Sequence, residues 1–87
     1  MARFEARVDV THLPGIADPQ GATVERALPA LGWSNVSEVK IGKSIRLVIE
    51  SDGAASAEEQ VRAMCETILA NPVIEAYTIT ISELEST

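Results

Sequence analysis

The sequence predicts an α+β domain of order β-α-β-β-α-β, an antiparallel sheet with two helices on one face. Three observations lead there. Residues 3 to 10 alternate apolar and polar without a break, two later windows carry helical apolar stripes, and five branched apolar residues between 37 and 50 fall at odd positions. At 87 residues the chain reads as one domain spanning 1–87, near the small end of what folds without staples.

In the first strand, Phe4, Ala6, Val8 and Val10 share one face and Arg3, Glu5, Arg7 and Asp9 the other, so one face is buried and one is solvated. Pro14-Gly15 marks a turn between Thr11 and Ala17. Asp18-Pro19 then reads as an N-cap followed by proline at the first helical position, where its missing N–H costs nothing. Val24, Ala27, Leu28 and Leu31 form an i, i+3, i+4, i+7 stripe, which predicts a helix over 19–31 ended by Gly32. Pro29 removes the hydrogen bond to the carbonyl of Glu25 and is expected to kink the last turn.

Between Ser37 and Glu50 the apolar residues are Val39, Ile41, Ile45, Leu47 and Ile49, with Val48 as the exception to the odd parity. A two-residue Gly42-Lys43 turn would face the apolar sides of the two strands in opposite directions. A three-residue loop, Gly42-Lys43-Ser44, pairs Ile41 with Ile45 and Val39 with Leu47 and is the preferred reading. One long strand reaching beyond its own domain satisfies the alternation equally well. Residues 51–55 form a loop, and Ser56 with Glu59 matches a capping box. Val61, Met64, Cys65 and Ile68 mark a second helix ending near Ala70, with Glu58 and Glu59 read as first-turn acids that favour the helix dipole. Pro72 stops that helix and biases Asn71 away from helical dihedrals, so Val73 and Ile74 are read as the start of the last strand. Tyr77, Ile79 and Ile81 alternate with Thr78 and Thr80, and residues 82–87 read as a polar tail.

Chemistry is sparse. One cysteine rules out an internal disulfide and a cysteine-based zinc site, and its place on an apolar stripe makes Cys65 a packing residue. A single histidine, His12, makes a poor metal site and has no evident catalytic partner. Gly42-Lys43-Ser44 resembles the end of a phosphate-binding loop, but Ser37 stands where the leading glycine is needed and a strand follows. The net charge of −6 with seven scattered basic residues argues against nucleic acid, as does the lack of stacking aromatics on the central strands beyond Phe4. No apolar run reaches membrane-spanning length and no secretory pattern opens the chain, so a cytoplasmic location is expected. Aromatic content is only 3 %, so the core must rest on aliphatic residues, and oligomerisation is a natural remedy for a core this small. Trp33, after Gly32, is read first as a core plug and second as an interface anchor. No catalytic, cofactor-binding or metal-ligating residue is expected.

Three segments together resemble one family: His12-Leu13-Pro14-Gly15-Ile16-Ala17-Asp18-Pro19-Gln20-Gly21 leading into Val24-Glu25-Arg26-Ala27-Leu28 and Leu31-Gly32; Val36-Ser37-Glu38-Val39-Lys40-Ile41-Gly42-Lys43; and Leu69-Ala70-Asn71-Pro72-Val73-Ile74-Glu75. The order and spacing are similar to those of the PurS family, small subunits of phosphoribosylformylglycinamidine synthase in purine biosynthesis. Pro29 departs from the family's helix-compatible residue at that place. The resemblance implies a ferredoxin-like fold, and an accessory subunit of a glutamine-dependent ligase with no catalytic residues of its own. In such complexes a glutaminase subunit releases ammonia, a large synthetase subunit uses ATP and magnesium, and the small subunit bridges the two as a dimer, assisting ammonia transfer. Homodimers or tetramers, formed through sheet edges, are expected, with no nucleic acid and no membrane as partners. Candidate partner-contact residues are His12, Pro14, Gly15, Asp18, Gln20, Gly42, Lys43, Asn71 and Pro72. The rival reading is a small-molecule-binding regulatory module of the same strand and helix order.

Overall fold

Residues 1–84 are described by the computed structural model. Strand β1 (Ala2–His12) forms the centre of a three-stranded antiparallel sheet, between β2 (Lys43–Ser51) and β3 (Glu75–Glu83). Helix α1 (Pro19–Ala27) lies between β1 and β2, and α2 (Ala54–Met64) between β2 and β3. In register, Phe4 faces Ile49 and Glu83, Ala6 faces Leu47 and Ile81, Val8 faces Ile45 and Ile79, and Val10 faces Tyr77. The even residues of β1 are therefore buried by aliphatic neighbours on both sides and by Ala57, Val61 and Cys65 from above. That is the core, and Phe4 is its only fully buried aromatic ring.

The α+β class, the antiparallel sheet and both helices are as the sequence predicts, but three details differ. First, only α2 lies across all three strands; α1 packs against residues 39–42, beyond the end of the sheet. Its apolar stripe is consequently uncovered, with Val24 and Leu31 exposed and only Leu28 partly buried. The radius of gyration, 16.9 Å, exceeds the roughly 12 Å expected of a compact chain this long.

Second, residues 37–42 form neither arm of a hairpin nor an early part of β2. Alternation states which way side chains point, not whether a strand lies alongside. Here the amides of Val39 and Ile41 donate to the carboxylates of Glu25 (2.9 Å) and Asp18 (2.9 Å), and Glu38 adopts a left-handed backbone with φ of 56°. Third, Val73 and Ile74 sit in an exposed turn rather than in β3. Asn71 closes it: its carbonyl accepts from Ile74 and Glu75, its side chain accepts from Val73, and its own amide donates to Glu75 Oε1 at 2.7 Å.

Helix ends follow local rules more closely. The α1 helix stops at Ala27, Pro29–Leu31 makes one 3-10 turn, and Gly32 closes it at φ of 106°, as proline and glycine at those places require. Helix α2 starts earlier than Ser56, with Gly53 as N-cap and no side-chain cap; Ser56 Oγ instead accepts from Gln60. Glu58 therefore falls beyond the first turn and pairs with Arg62 at 3.1 Å. Residues Cys65–Leu69 widen into a π-turn that ends at Ala70, whose amide donates to the Cys65 carbonyl. Trp33 is 55 % exposed, so it plugs no core. Of the expected tail, Ser82 and Glu83 belong to β3, and residues 85–87 lie outside the described ones.

Candidate functional site

All the irregular backbone that the sequence singles out converges at one end of the sheet, where β1 finishes and β2 begins. The segment after His12 turns at Gly15 (φ 86°), with Ile16 N–H donating to the Leu13 carbonyl at 3.1 Å. Leu13 N–H donates to the Ile74 carbonyl at 2.8 Å, which ties this turn to the α2–β3 junction. Asp18 then caps α1 as expected: its Oδ1 accepts from Gly21 N–H at 3.0 Å. Its other oxygen holds Ile41, so one carboxylate joins the helix start to the ledge 39–42. Gly21 allows that approach, because a Cβ there would stand 2.4 Å from the Val39 carbonyl oxygen. Gly42 plays the same part against β1, where a Cβ would meet the Val10 carbonyl oxygen at 2.5 Å.

The Ile41 and Gly21 amides hold the Asp18 carboxyl below its ordinary value, and the nearby His12 and Lys40 charges add to this. A carboxylate whose folded pKa lies below the unfolded value of about 4 contributes stability at neutral pH and loses it as pH falls through the folded pKa. Protection of the Ile41 and Gly21 amides, taken relative to the intrinsic exchange rate at each pH, is therefore expected to fall in the wild type as pH drops through the lowered Asp18 pKa. In Asp18→Asn, which keeps one acceptor oxygen but presents an N–H group in place of the other, protection at Ile41 should be low at every pH and should not change across that range.

Two cavities flank His12. The larger, about 480 Å³, is lined by Thr11, His12, Leu13, Pro14, Gly15, Ile16, Asp18, Glu38 and Lys40. The smaller, about 160 Å³, is lined by Val10, Thr11, His12, Gln20, Ile41, Gly42, Lys43 and Glu75. Thus His12, Pro14, Gly15, Asp18, Gln20, Gly42 and Lys43 come together, while Asn71 and Pro72 sit on the junction tied in through Leu13. His12 Nδ1 is buried without a hydrogen-bond partner among the described residues. Residues the sequence did not single out are Glu25, Glu38 and Lys40. Only Glu25 left a signal, since it stands seven residues after Asp18 and so shares its helix face.

No cluster of metal-binding side chains occurs among the described residues, and burial pushes the Cys65 thiol up, which keeps it protonated. No helix of the described residues is long and apolar enough to cross a membrane. The site is an irregular surface beside an exposed apolar helix.

A family model described as PurS, phosphoribosylformylglycinamidine (FGAM) synthase, matches residues 5–83. The chain belongs to the PurS family. A PurS subunit of this synthase from Synechocystis is 43 % identical over 82 residues, covering 94 % of this chain and 82 % of the relative. The crystal structure of PurS from Methanocaldococcus jannaschii superposes with a TM-score of 0.84 at 38 % identity, covering 94 % of this chain and 99 % of that one. A chain in a PurLQS structure from Thermotoga maritima superposes with a TM-score of 0.83 at 37 % identity, covering 97 % and 100 %. The PurS fold is therefore shared over nearly the whole length, α1 and the ledge included.

Proposed function

We propose that this chain is the non-catalytic small subunit of a phosphoribosylformylglycinamidine synthase, a glutamine-dependent ligase complex of purine biosynthesis. It bridges the glutaminase and the large synthetase subunit, assists the transfer of ammonia between them, acts in the cytoplasm and binds no cofactor itself. The single observation that carries a bridging role is the uncovered apolar surface of the α1 arm, with Leu31 66 % and Trp33 55 % exposed. A fold that leaves such a patch uncovered has room for a protein neighbour, and the outer edges of β2 and β3, unpaired in the sheet, leave strands free to pair with a second copy. Ammonia released to water is lost by protonation and diffusion, so two joined active sites need a sealed contact. The family match favours this reading over the regulatory module.

Reconstitution tests it. His12→Ala and Lys43→Ala in the assembled complex are expected to lower glutamine-dependent activity by roughly fivefold or more, as loss of an interface contact worth over 1 kcal/mol would. Ammonia-dependent activity should be spared. Equal loss of both activities would overturn the assignment of these residues to ammonia transfer.

A further inference from the structure

The face of the sheet turned away from α2 is uncovered. Strand β1 presents Arg3, Glu5, Arg7 and Asp9 there, and β2 presents Arg46, Val48 and Glu50 beside them. Two of these positions are out of place on a face that meets only water. Val48, 50 % exposed, is the one apolar side chain of β2 that points away from the core. Arg7 stands directly opposite Arg46, and like charges so placed destabilise a sheet. Asp9 answers Arg7 at 3.3 Å, while Arg46 makes no ion pair among the described residues. The face as a whole is neutral, with Arg3, Arg7 and Arg46 against Glu5, Asp9 and Glu50, so the net charge of −6 lies elsewhere on the chain. Like charge therefore repels a second copy least on this side.

We infer that a second copy of this chain stacks on the open face, with its β1 running antiparallel across the first. The order of charge along β1 carries the argument. From Arg3 to Asp9 it runs plus, minus, plus, minus, and such a series meets its opposite when reversed. A two-fold axis between positions 5 and 7 sets Glu5 against Arg7 of the second copy, and Arg3 against Asp9 of the second copy, each pair occurring twice. The same operation lays the stem of Arg46 on the exposed Val48 of the second copy, with its guanidinium directed toward the neighbouring Glu50. Strand β3 adds small side chains, Thr78, Thr80 and Ser82, which let two sheets approach to the usual spacing of about 10 Å.

Area sets the number of copies. Nine paired positions on three strands offer roughly 440 Å² per chain, at about 3.4 Å per residue and about 4.8 Å between strands. A stable interface takes about 800 Å² from each partner. One chain falls short, whereas two chains joined edge to edge offer roughly 880 Å². The stack thus joins two edge-paired dimers into a tetramer, and it rests on the edge pairing that the subunit reading implies.

Sedimentation velocity of the free full chain reads both steps, since dimer and tetramer have two and four times the mass of 9.3 kDa. The wild type is expected as a tetramer at low salt that falls to dimers at about 1 M, where charges are screened beyond roughly 3 Å. Arg7→Glu should weaken the tetramer about tenfold or more, because it sets an acid against Glu5 of the second copy at two symmetric places. Glu5→Arg should do the same. Glu5→Arg combined with Arg7→Glu keeps every pair across the axis opposite in sign and should restore the tetramer. Glu59→Arg, on α2, should sediment as wild type. Rescue by the double exchange is not what a loss of folding would give. A wild type that stays dimeric overturns the stack and leaves the edge pairing standing. So does a tetramer that neither single exchange weakens, or that the double exchange fails to restore. A monomeric wild type overturns both. Dimers whose association with the large synthetase subunit is lost in Arg7→Glu would assign the face to that subunit and overturn the stack.

Discussion

Phe4→Ala is expected to cost this domain about 3–5 kcal/mol, enough to remove most or all of its cooperative unfolding transition in urea followed by circular dichroism. Small domains hold only about 5–15 kcal/mol in total. Phe4 is 3 % exposed and sits in register with Ile49 and Glu83, at the end of the sheet where α2 begins. The other two rings cannot substitute for it. Trp33 is on the outlying arm, and Tyr77 lies at the opposite end of β1, facing Val10, with its hydroxyl donating to Glu66 at 2.5 Å. The remaining buried side chains are alanines, valines, one isoleucine, one cysteine and one serine. A phenyl-sized void in such a core has few long side chains to fill it. A measured loss under about 1 kcal/mol would mean that the sheet and α2 close over the gap, and that the core is less rigidly packed than its burial implies.

Gly21→Ala is expected to destabilise by about 1–2 kcal/mol, the reverse of what helix propensity alone predicts. Alanine inside a helix gains up to about 1 kcal/mol over glycine. Here, however, the added methyl would sit 2.4 Å from the Val39 carbonyl oxygen and 2.6 Å from Asp18 Oδ2. The backbone contact cannot be relieved by a side-chain rotation, so the ledge must move away, at the 1–3 kcal/mol usual for overpacking. Moving it strips the Ile41 and Val39 amides of their carboxylate partners. Thermal unfolding gives the sign, and amide exchange at Val39 and Ile41 gives the cause. A stabilised variant with unchanged exchange would show that the ledge yields without cost.

What could be read from the residues divides along a physical line. Features set by a residue and its sequence neighbours were legible: the alternation of β1, the Asp18-Pro19 start, the glycine stop at Gly32 and the stripe of α2; the helix expected over 19–31 with a kink at Pro29 instead ends at Ala27 and gives way to a 3-10 turn. Features set by a choice between remote partners were not legible. The stripe of α1 announces that something must cover it, but not that the chain's own sheet does not. Parity at Val39 and Ile41 is the same whether their amides face a strand or two carboxylates. The capping box at Ser56 failed because Gly53 and the two alanines after it allow the helix to begin three residues earlier, nearly a full turn. At the candidate site, proline, glycine and an Asx cap leave local marks, and the structure brings most of the loops that carry them to one end of the sheet. Glu38 left none: a left-handed residue is announced by glycine or asparagine, and a glutamate there is visible only once the backbone is known.

The uncovered stripe on α1 has a consequence for handling the protein. An apolar strip on a chain this small is held apart from its copies in solution largely by like charge, and that charge vanishes near the isoelectric point of about 4.6. Colloidal stability should therefore fail on acidification before the Asp18 tether is released, and the free chain will precipitate from concentrated samples while still folded. Dilute samples, or ones whose Leu31 and Trp33 have been made polar, are the ones in which the acid behaviour of the fold itself becomes observable.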